Sequence, residues 1–535
     1  MNKLTKSIYR SFVGSRFPYC LIVIGIVLRF KHFLENRSLW LDEAWVALGV
    51  SSHSFQEILS LQKFSDTYPL PPLGFILIEK LGIHFLGNNE HVLRLFPLLA
   101  SVLSLFLFYS FLKRYVHFPQ AIPIAMALFA LSEPLIYYAA EVKQYSGDLL
   151  ITLVLYLATD SIRRKDLSIK GIYFLGVIGV LAIICSHVSV FVLASVGLVL
   201  IASNVVDRKK SNLISLLCVV GLWAGCFTIL YLTSYQWMVK SQQFTGNNRY
   251  LAVLPLWSSQ GRQWLSEALL GMFHHPLSIT PAWLWFSVTL LGMIVYAKKN
   301  RREFFLLILP LGFVLLTSIM QKYPFGGRFI LFCMPAICIF LTSGIVKILH
   351  ATTRYRKLVS ILLLSVLFYQ PVKEGLYYSK YSRSQEESRP VMQFFIQHFQ
   401  PGDEVYINNS AIDVYNYYLT NLHFPYQIQR VGKILDQVYG EEAGCALIRY
   451  ETQIFRENGW LLGIKDNEEL NQYYQVFADR WIKPQGNNRV WVIFVHYNPK
   501  LESLVISSLN RHGKRLKRFQ AKNAAVYLYD LNFNR

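Results

Sequence analysis

Apolar stretches recur along this chain in greater number than one soluble core can bury. A window of about 19 residues, the length that crosses a bilayer core as a helix, finds about eleven of them. They lie near 17 to 34, 92 to 112, 121 to 139, 147 to 160, 171 to 187, 188 to 205, 212 to 234, 280 to 297, 304 to 320, 329 to 348 and 358 to 371. Only 16% of the 535 residues are charged, against about 25% in soluble domains. The expected class is therefore a polytopic α-helical membrane protein. Its net charge of +21 raises the question of nucleic acid, whose recognition gathers basic residues on one soluble surface. Here they fall between apolar segments, which excludes nucleic acid as a partner.

Those basic residues set the orientation instead. Lys3, Lys6, Arg10 and Arg16 precede the first span; no small-residue cleavage site follows it, so it reads as an uncleaved anchor. With the N-terminus in the cytoplasm, Lys113-Arg114, Arg163 to Lys165, Arg208 to Lys210, Lys298 to Arg302 and Arg354 to Lys357 all fall inside, as the positive-inside rule requires. Residues 35–91, the short turn near 140–146, residues 235–279 and everything after about 372 then face outward. Three regions follow: a membrane domain over 1–371 with its first outer loop at 35–91, a linker over 372–388, and an extracytoplasmic α/β domain over 389–535. Within the outer loop, residues 54 to 64 suggest an amphipathic surface helix, and 73 to 86 a second interfacial or re-entrant one. In the last domain, Arg489 to Val495 predicts a buried strand and 499 to 511 a helix.

Several residues on the expected outer face carry chemistry. Asp42 and Glu43 in Leu41-Asp42-Glu43-Ala44-Trp45 are adjacent, so their side chains diverge in any regular structure. Asp42 suits a general base and Glu43 a supporting role; a carboxylate pair favoured by a helix start is the structural alternative. Glu141 and Lys143 are about 200° apart on a helix, which leaves Lys143 free for a phosphate; with Tyr145 they also fit an ordinary interfacial cluster. Arg94 and Arg328 are cations able to grip a phosphate in a two-point fork, and Gly326-Gly327 allows close backbone approach. Lipid headgroups are the alternative ligand for both arginines. No cofactor is predicted. His274-His275 lacks the spacing of a metal pair, and none of the seven cysteines has a near partner at metal-ligand spacing, so a divalent metal has no motif to hold it. Gly-x-Ser-x-Gly and phosphate-loop patterns are absent as well.

Taken in order, Leu41-Asp42-Glu43-Ala44-Trp45, Pro71-Pro72-Leu73 leading into Glu79-Lys80-Leu81, Arg94-Leu95-Phe96-Pro97, Ile136-Tyr137-Tyr138 through Glu141-Val142-Lys143-Gln144-Tyr145-Ser146, and Gly326-Gly327-Arg328 resemble the bacterial glycosyltransferase family 39-like proteins. That group is similar to protein O-mannosyltransferases and lipid A aminoarabinose transferases, with the GT-C membrane fold, and the resemblance spans roughly residues 15 to 350. It implies transfer of a sugar from a polyprenyl-phosphate donor at the outer face of the bacterial cytoplasmic membrane, with inversion, to an acceptor it does not name. It also implies that Asp42 is the essential acidic residue and Glu141 the second carboxylate; on their chemistry, Lys143, Arg94, Arg328 and Tyr145 are the candidates to hold the donor phosphate. Membrane lipids are the other expected partner. Where several relatives carry Lys-Pro-Pro or His-Pro-Pro, this chain has Leu70-Pro71-Pro72, losing whatever contact that first side chain makes. The C-terminal domain is also unlike the β-trefoil of the eukaryotic mannosyltransferases.

Two other classes compete. A transporter or flippase of lipid-linked sugars would place polar residues near span midpoints and show pseudo-symmetric halves, whereas this chain keeps its charges at span ends and shows no repeat. A non-catalytic envelope-assembly protein would work through the exterior domain.

Overall fold

The computed structural model describes residues 16–60, 71–164, 168–207, 210–235, 250–352, 355–401, 403–407, 411–424, 489–496 and 499–531. The basic residues Lys3, Lys6, Arg10, Lys165, Arg208, Lys209 and Arg354, the tail of the amphipathic stretch at 61–64, Leu70 and Cys445 lie outside them.

Each apolar window has its helix. Seven helices among the described residues are long and apolar enough to cross a membrane: Arg16–Leu34, Glu90–Tyr115, Ser189–Val206, Asn212–Ser234, Arg301–Ile319, Gly327–Ala351 and Arg356–Lys380. An eighth candidate is broken, Ala121–Leu131 continuing into Glu133–Ala140 after a 52° bend. Three further windows are filled by Tyr145–Arg164, Ile169–Cys185 and Ala282–Lys299, which carry more charge or are shorter. The chain is a multi-pass membrane protein with a small sheet domain near its C-terminus. The last apolar helix runs on to Lys380, so the first half of the expected linker, 372–388, is helical.

Two compact units are formed. One draws its described residues from Met1–Glu35, His53–Gly87 and His91–Ser382, the other from Asn36–Ser52, Asn88–Glu90 and Arg383–Arg535. Part of the first outer loop therefore belongs with the C-terminal unit, a division that differs from the expected boundaries.

In the helical unit the bend near Ser132 has local causes. Pro134 cannot donate to the preceding turn, and the Ser132 hydroxyl caps the restart by accepting from Leu135 N–H at 3.4 Å. Carbonyls released at the break are recovered by buried Arg29, which donates to Ala130 O at 3.2 Å, Phe129 O at 3.3 Å and the Ser101 hydroxyl at 2.8 Å. The Met334–Ala351 helix is buried along nearly its whole length. It crosses Ala282–Lys299 so closely that a Cβ at Gly292 would lie 1.7 Å from Phe340 O, and one at Gly344 2.0 Å from Val288 O. Small residues at such crossings let backbones meet where the lipid provides no hydrophobic drive.

One end of this unit gathers the basic residues. Arg163 pairs with Glu303 at 3.0 Å, Arg164 with Asp160 at 2.7 Å and Arg302 with Asp207 at 2.6 Å. The Tyr296 hydroxyl donates to Tyr115 O at 2.7 Å, and that of Tyr115 to Tyr156 O at 2.9 Å. These contacts tie together the C-terminal ends of Leu95–Tyr115, Tyr145–Arg164 and Ala282–Lys299. Arg94 and the Glu141–Tyr145 turn sit at the opposite, N-terminal ends of the first two helices.

The other unit is built on a four-stranded sheet of order β1-β2-β4-β3: β1 (Glu404–Ile407), β2 (Arg489–Val495), β3 (Lys514–Ala521) and β4 (Ala524–Asp530). β1 runs parallel to β2, and the remaining pairs are antiparallel. The expected strand at 489–495 and helix near 499 are present, the helix as Pro499–His512. Its first-loop portion is held by Ser388 Oγ donating to Leu39 O at 2.8 Å, Tyr418 OH accepting from Leu39 N–H at 3.0 Å, and Ser38 Oγ bonding Glu387 at 2.9 Å.

Candidate active site

In the helical unit, Tyr138–Ala140 closes as a single 3₁₀ turn and Glu141 is extended, with φ −122° and ψ 135°. Lys143 N–H then donates to Glu141 O at 2.7 Å, and Ser146 Oγ to Tyr138 O at 2.8 Å, so the chain reverses within four residues into the Tyr145–Arg164 helix. Glu141, Lys143 and Tyr145 are all buried. That burial sets Lys143 and Tyr145 apart from an interfacial pair reaching for lipid headgroups. Arg94 precedes the Leu95–Tyr115 helix and is likewise buried at 1% exposure, which rules out a snorkelling position.

The turn meets the loop at Gly326-Gly327-Arg328. The Arg328 guanidinium carbon lies 5.6 Å from the Tyr145 ring centroid and 5.5 Å from that of Phe329, within cation–π range. Tyr138 sets its ring edge-on to Tyr145 at 5.1 Å and to His275 at 5.7 Å, and its phenol lies within electrostatic reach of both Glu141 and Arg328. Glu141, Tyr145 and Arg328 thus share one neighbourhood around Tyr138.

The glycines of this loop answer to an internal neighbour. Gly326 has φ +145° and Gly327 φ +52°, conformations that disfavour a side chain. A Cβ on Gly326 would come within 2.6 Å of the Tyr250 ring, and one on Gly327 within 2.8 Å of its hydroxyl. The Tyr250 carbonyl accepts from Phe325 N–H at 2.7 Å and from Ser318 Oγ at 3.1 Å. Close approach by a backbone is real here, and its occupant is Tyr250.

His275 hydrogen-bonds the backbone of Gly327, while its Nδ1 is buried with no hydrogen-bond partner. Burial pushes the imidazole down to about 4, the Gly327 bond opposing and Arg328 assisting. It is neutral at pH 7. Its neighbour His274 is exposed, so the two histidines diverge, and no group of three or more His, Cys, Asp or Glu side chains among the described residues is placed to hold a metal ion. His275, Tyr138, Tyr250 and Phe329 were not singled out for this site by sequence. Only the Ile136-Tyr137-Tyr138 run pointed toward one of them.

Asp42 and Glu43 fall in the sheet-containing unit. They occupy the first turn of the helix Leu41–Ser52, where Glu43 and Ala44 N–H both donate to Trp40 O at 2.9 Å. Glu43 is fully buried and accepts from buried Arg37 at 2.5 Å; Asp42 is half-buried. The two carboxylates diverge, one into an ion pair and the other to a partly open surface. The candidate residues are therefore divided, Asp42 and Glu43 in one unit and Glu141, Lys143, Tyr145, Arg94 and Arg328 in the other.

No protein-family model matches this chain, and no curated protein does either. Solved structures do match it. The apo crystal structure of ArnT from Cupriavidus metallidurans aligns over 95% of this chain and 97% of that one, with TM-score 0.53 and 12% identity. The same protein bound to undecaprenyl phosphate aligns over 96% and 98%, with TM-score 0.49 and 11% identity. An oligosaccharyltransferase from Archaeoglobus fulgidus, in complex with zinc and sulfate, aligns over 96% and 73%, with TM-score 0.48 and 12% identity. At such identity the likeness is one of fold, and the first of these carries it: this chain has the GT-C membrane fold.

Proposed function

We propose that this protein is a membrane glycosyltransferase that moves a sugar from a polyprenyl-phosphate donor to an acceptor hydroxyl at the outer face of the cytoplasmic membrane. The observation that carries the reading is the placement of Arg328. Its guanidinium rests on two aromatic rings in a buried neighbourhood that also holds Glu141, on a GT-C fold matched along nearly the whole chain. Stacking on rings shields the faces of a guanidinium from water, and its planar fork of donors matches the geometry of a phosphate.

The reaction is a single displacement. The acceptor oxygen attacks the anomeric carbon as its proton passes to the Asp42 carboxylate; the bond from that carbon to the phosphate oxygen breaks, and its electron pair leaves with polyprenyl phosphate. The anomeric centre inverts. Charge grows on the departing phosphate, so stabilisation falls to cations, and Arg328, Lys143 and Arg94 take that role beside Tyr145. Glu141 is the second carboxylate. Glu43, paired with Arg37, fixes the start of the helix that carries Asp42.

Mass spectrometry of envelope glycans and lipids with and without the gene tests the reading. One sugar should be missing from one envelope component, and restoring the gene as Asp42→Asn should fail to return it. A complete, unchanged sugar inventory in the deletion strain would refute transfer. Accumulation of a lipid-linked sugar on the inner leaflet, in a strain whose purified protein transfers nothing, would point to a flippase.

A further inference from the structure

The segment entering the sheet unit at Arg383 and the end of β2 meet beside Asp42, and their chemistry is not accounted for by packing alone. The Glu386 carboxylate is buried and serves two groups at once. One oxygen accepts from the N–H of Leu41, the first residue of the Leu41–Ser52 helix, at 3.3 Å; the other bonds His496 Nδ1. Glu386 thus caps the helix start with an anion, where the helix dipole favours one, and in the same act orients an imidazole. His496 follows β2 in a left-handed conformation, φ +50°, uncommon for a residue with a side chain. Its backbone N–H donates to Asn523 O at 3.3 Å, and its ring lies 6.3 Å from that of Trp40.

The charges that act on His496 come from two elements. Glu386 raises its affinity for a proton most, burial opposes, and Asp42 raises it further. Glu43, one residue beyond Asp42, is engaged by Arg37. The imidazole has one ring nitrogen committed to Glu386 and a half-exposed surface, and the next carboxylate that it feels is Asp42.

We propose that Glu386 and His496 are a positioning pair for Asp42, holding an imidazolium beside it so that the carboxylate stays ionised and oriented as the pH falls. The proposal rests on the assignment of Asp42 as the base. An opposite charge nearby favours the ionised carboxylate, by about 1–3 pH units at close range. The effect exists while His496 is protonated and fades as the pH rises through its elevated titration point. A pair that only held the fold would lower activity alike at every pH.

The experiment uses the full chain in lipid nanodiscs, supplied with polyprenyl-phosphate sugars extracted from the wild-type envelope together with envelope acceptor. The rate of free polyprenyl phosphate release is followed across pH. In His496→Gln the acid limb should move up by about one pH unit, while the alkaline plateau stays within about twofold of wild type. Glu386→Gln, which keeps an acceptor for Leu41 N–H, should shift the limb the same way and serves if the first variant does not fold. Independently of turnover, histidine NMR should show Asp42→Asn lowering the His496 titration point. An unmoved acid limb, a loss uniform in pH, or an unmoved His496 titration point would each overturn the pairing. Full transfer by Asp42→Asn would instead overturn the base assignment.

Discussion

The two ends of the helical unit hold their buried charges in opposite ways. At the basic end, Asp160 and Glu303 meet arginines directly, at 2.7 and 3.0 Å, with tyrosine hydroxyls bracing neighbouring helices. At the other end Arg328 is laid across Tyr145 and Phe329, and His275 keeps a buried, unpartnered Nδ1. Breaking a buried ion pair strands the surviving charge and costs stability. A guanidinium seated on rings gains cation–π contact at its faces, and its fork geometry suits a phosphate. The first arrangement serves structure, and under the proposed function the second serves donor binding.

The largest effect that would break this contrast is at Arg328. Arg328→Ala should lower transfer by about 10²–10³-fold, the size seen when one transition-state donor is removed, with the melting temperature little changed. Glu303→Ala should do the reverse, costing about 1–3 kcal/mol by stranding Arg163; thermal unfolding in detergent measures it, and a stable but inactive variant would erase the distinction. Gly327→Ala forces a side chain into a left-handed position and against the Tyr250 hydroxyl. Strain of about 1–2 kcal/mol should then appear as weaker donor binding, because the adjoining Arg328 moves.

The smallest effect concerns pH. His275 is held below its ordinary range, at about 4, so as acid is added the unfolded chain takes up this proton before the folded one. Its contribution to stability is complete above about pH 6.5 and is lost as the pH falls toward 4. His275→Gln should flatten that part of the melting-temperature profile, and an unchanged slope would show that the histidine is not held neutral.

Much of the helical unit was legible because lipid exposure writes itself into long apolar runs. All eleven windows coincide with helices, but the window at 121–139 was read as one span, and its 52° break before Pro134 appears only in the structure. Its charged ends were legible too, since Lys113-Arg114 and Arg163-Arg164 close their helices. The pairing of Arg328 with Tyr145 could not be read, because loops distant in sequence meet only once the bundle packs. His275 drew notice only as half of a poor metal pair; its link to Gly327 has no local signature. Least legible was the assignment of residues 36–52 to the C-terminal unit. Ser38 and Glu387 are 349 positions apart, and the hydrogen bonds that join them leave no periodicity in either segment. Asp42 as a base and the cations as phosphate binders were read from residue type and placement, whereas Glu141 as the second carboxylate came from the family resemblance.

The most direct test is transfer by the purified protein itself. Wild type, reconstituted with a polyprenyl-phosphate sugar extract and envelope acceptor, is predicted to release free polyprenyl phosphate in step with a sugar gained by the acceptor, with the anomeric configuration inverted. Asp42→Asn, folded to the same melting temperature, is predicted to do neither. Equal release and transfer by the two proteins would contradict the account.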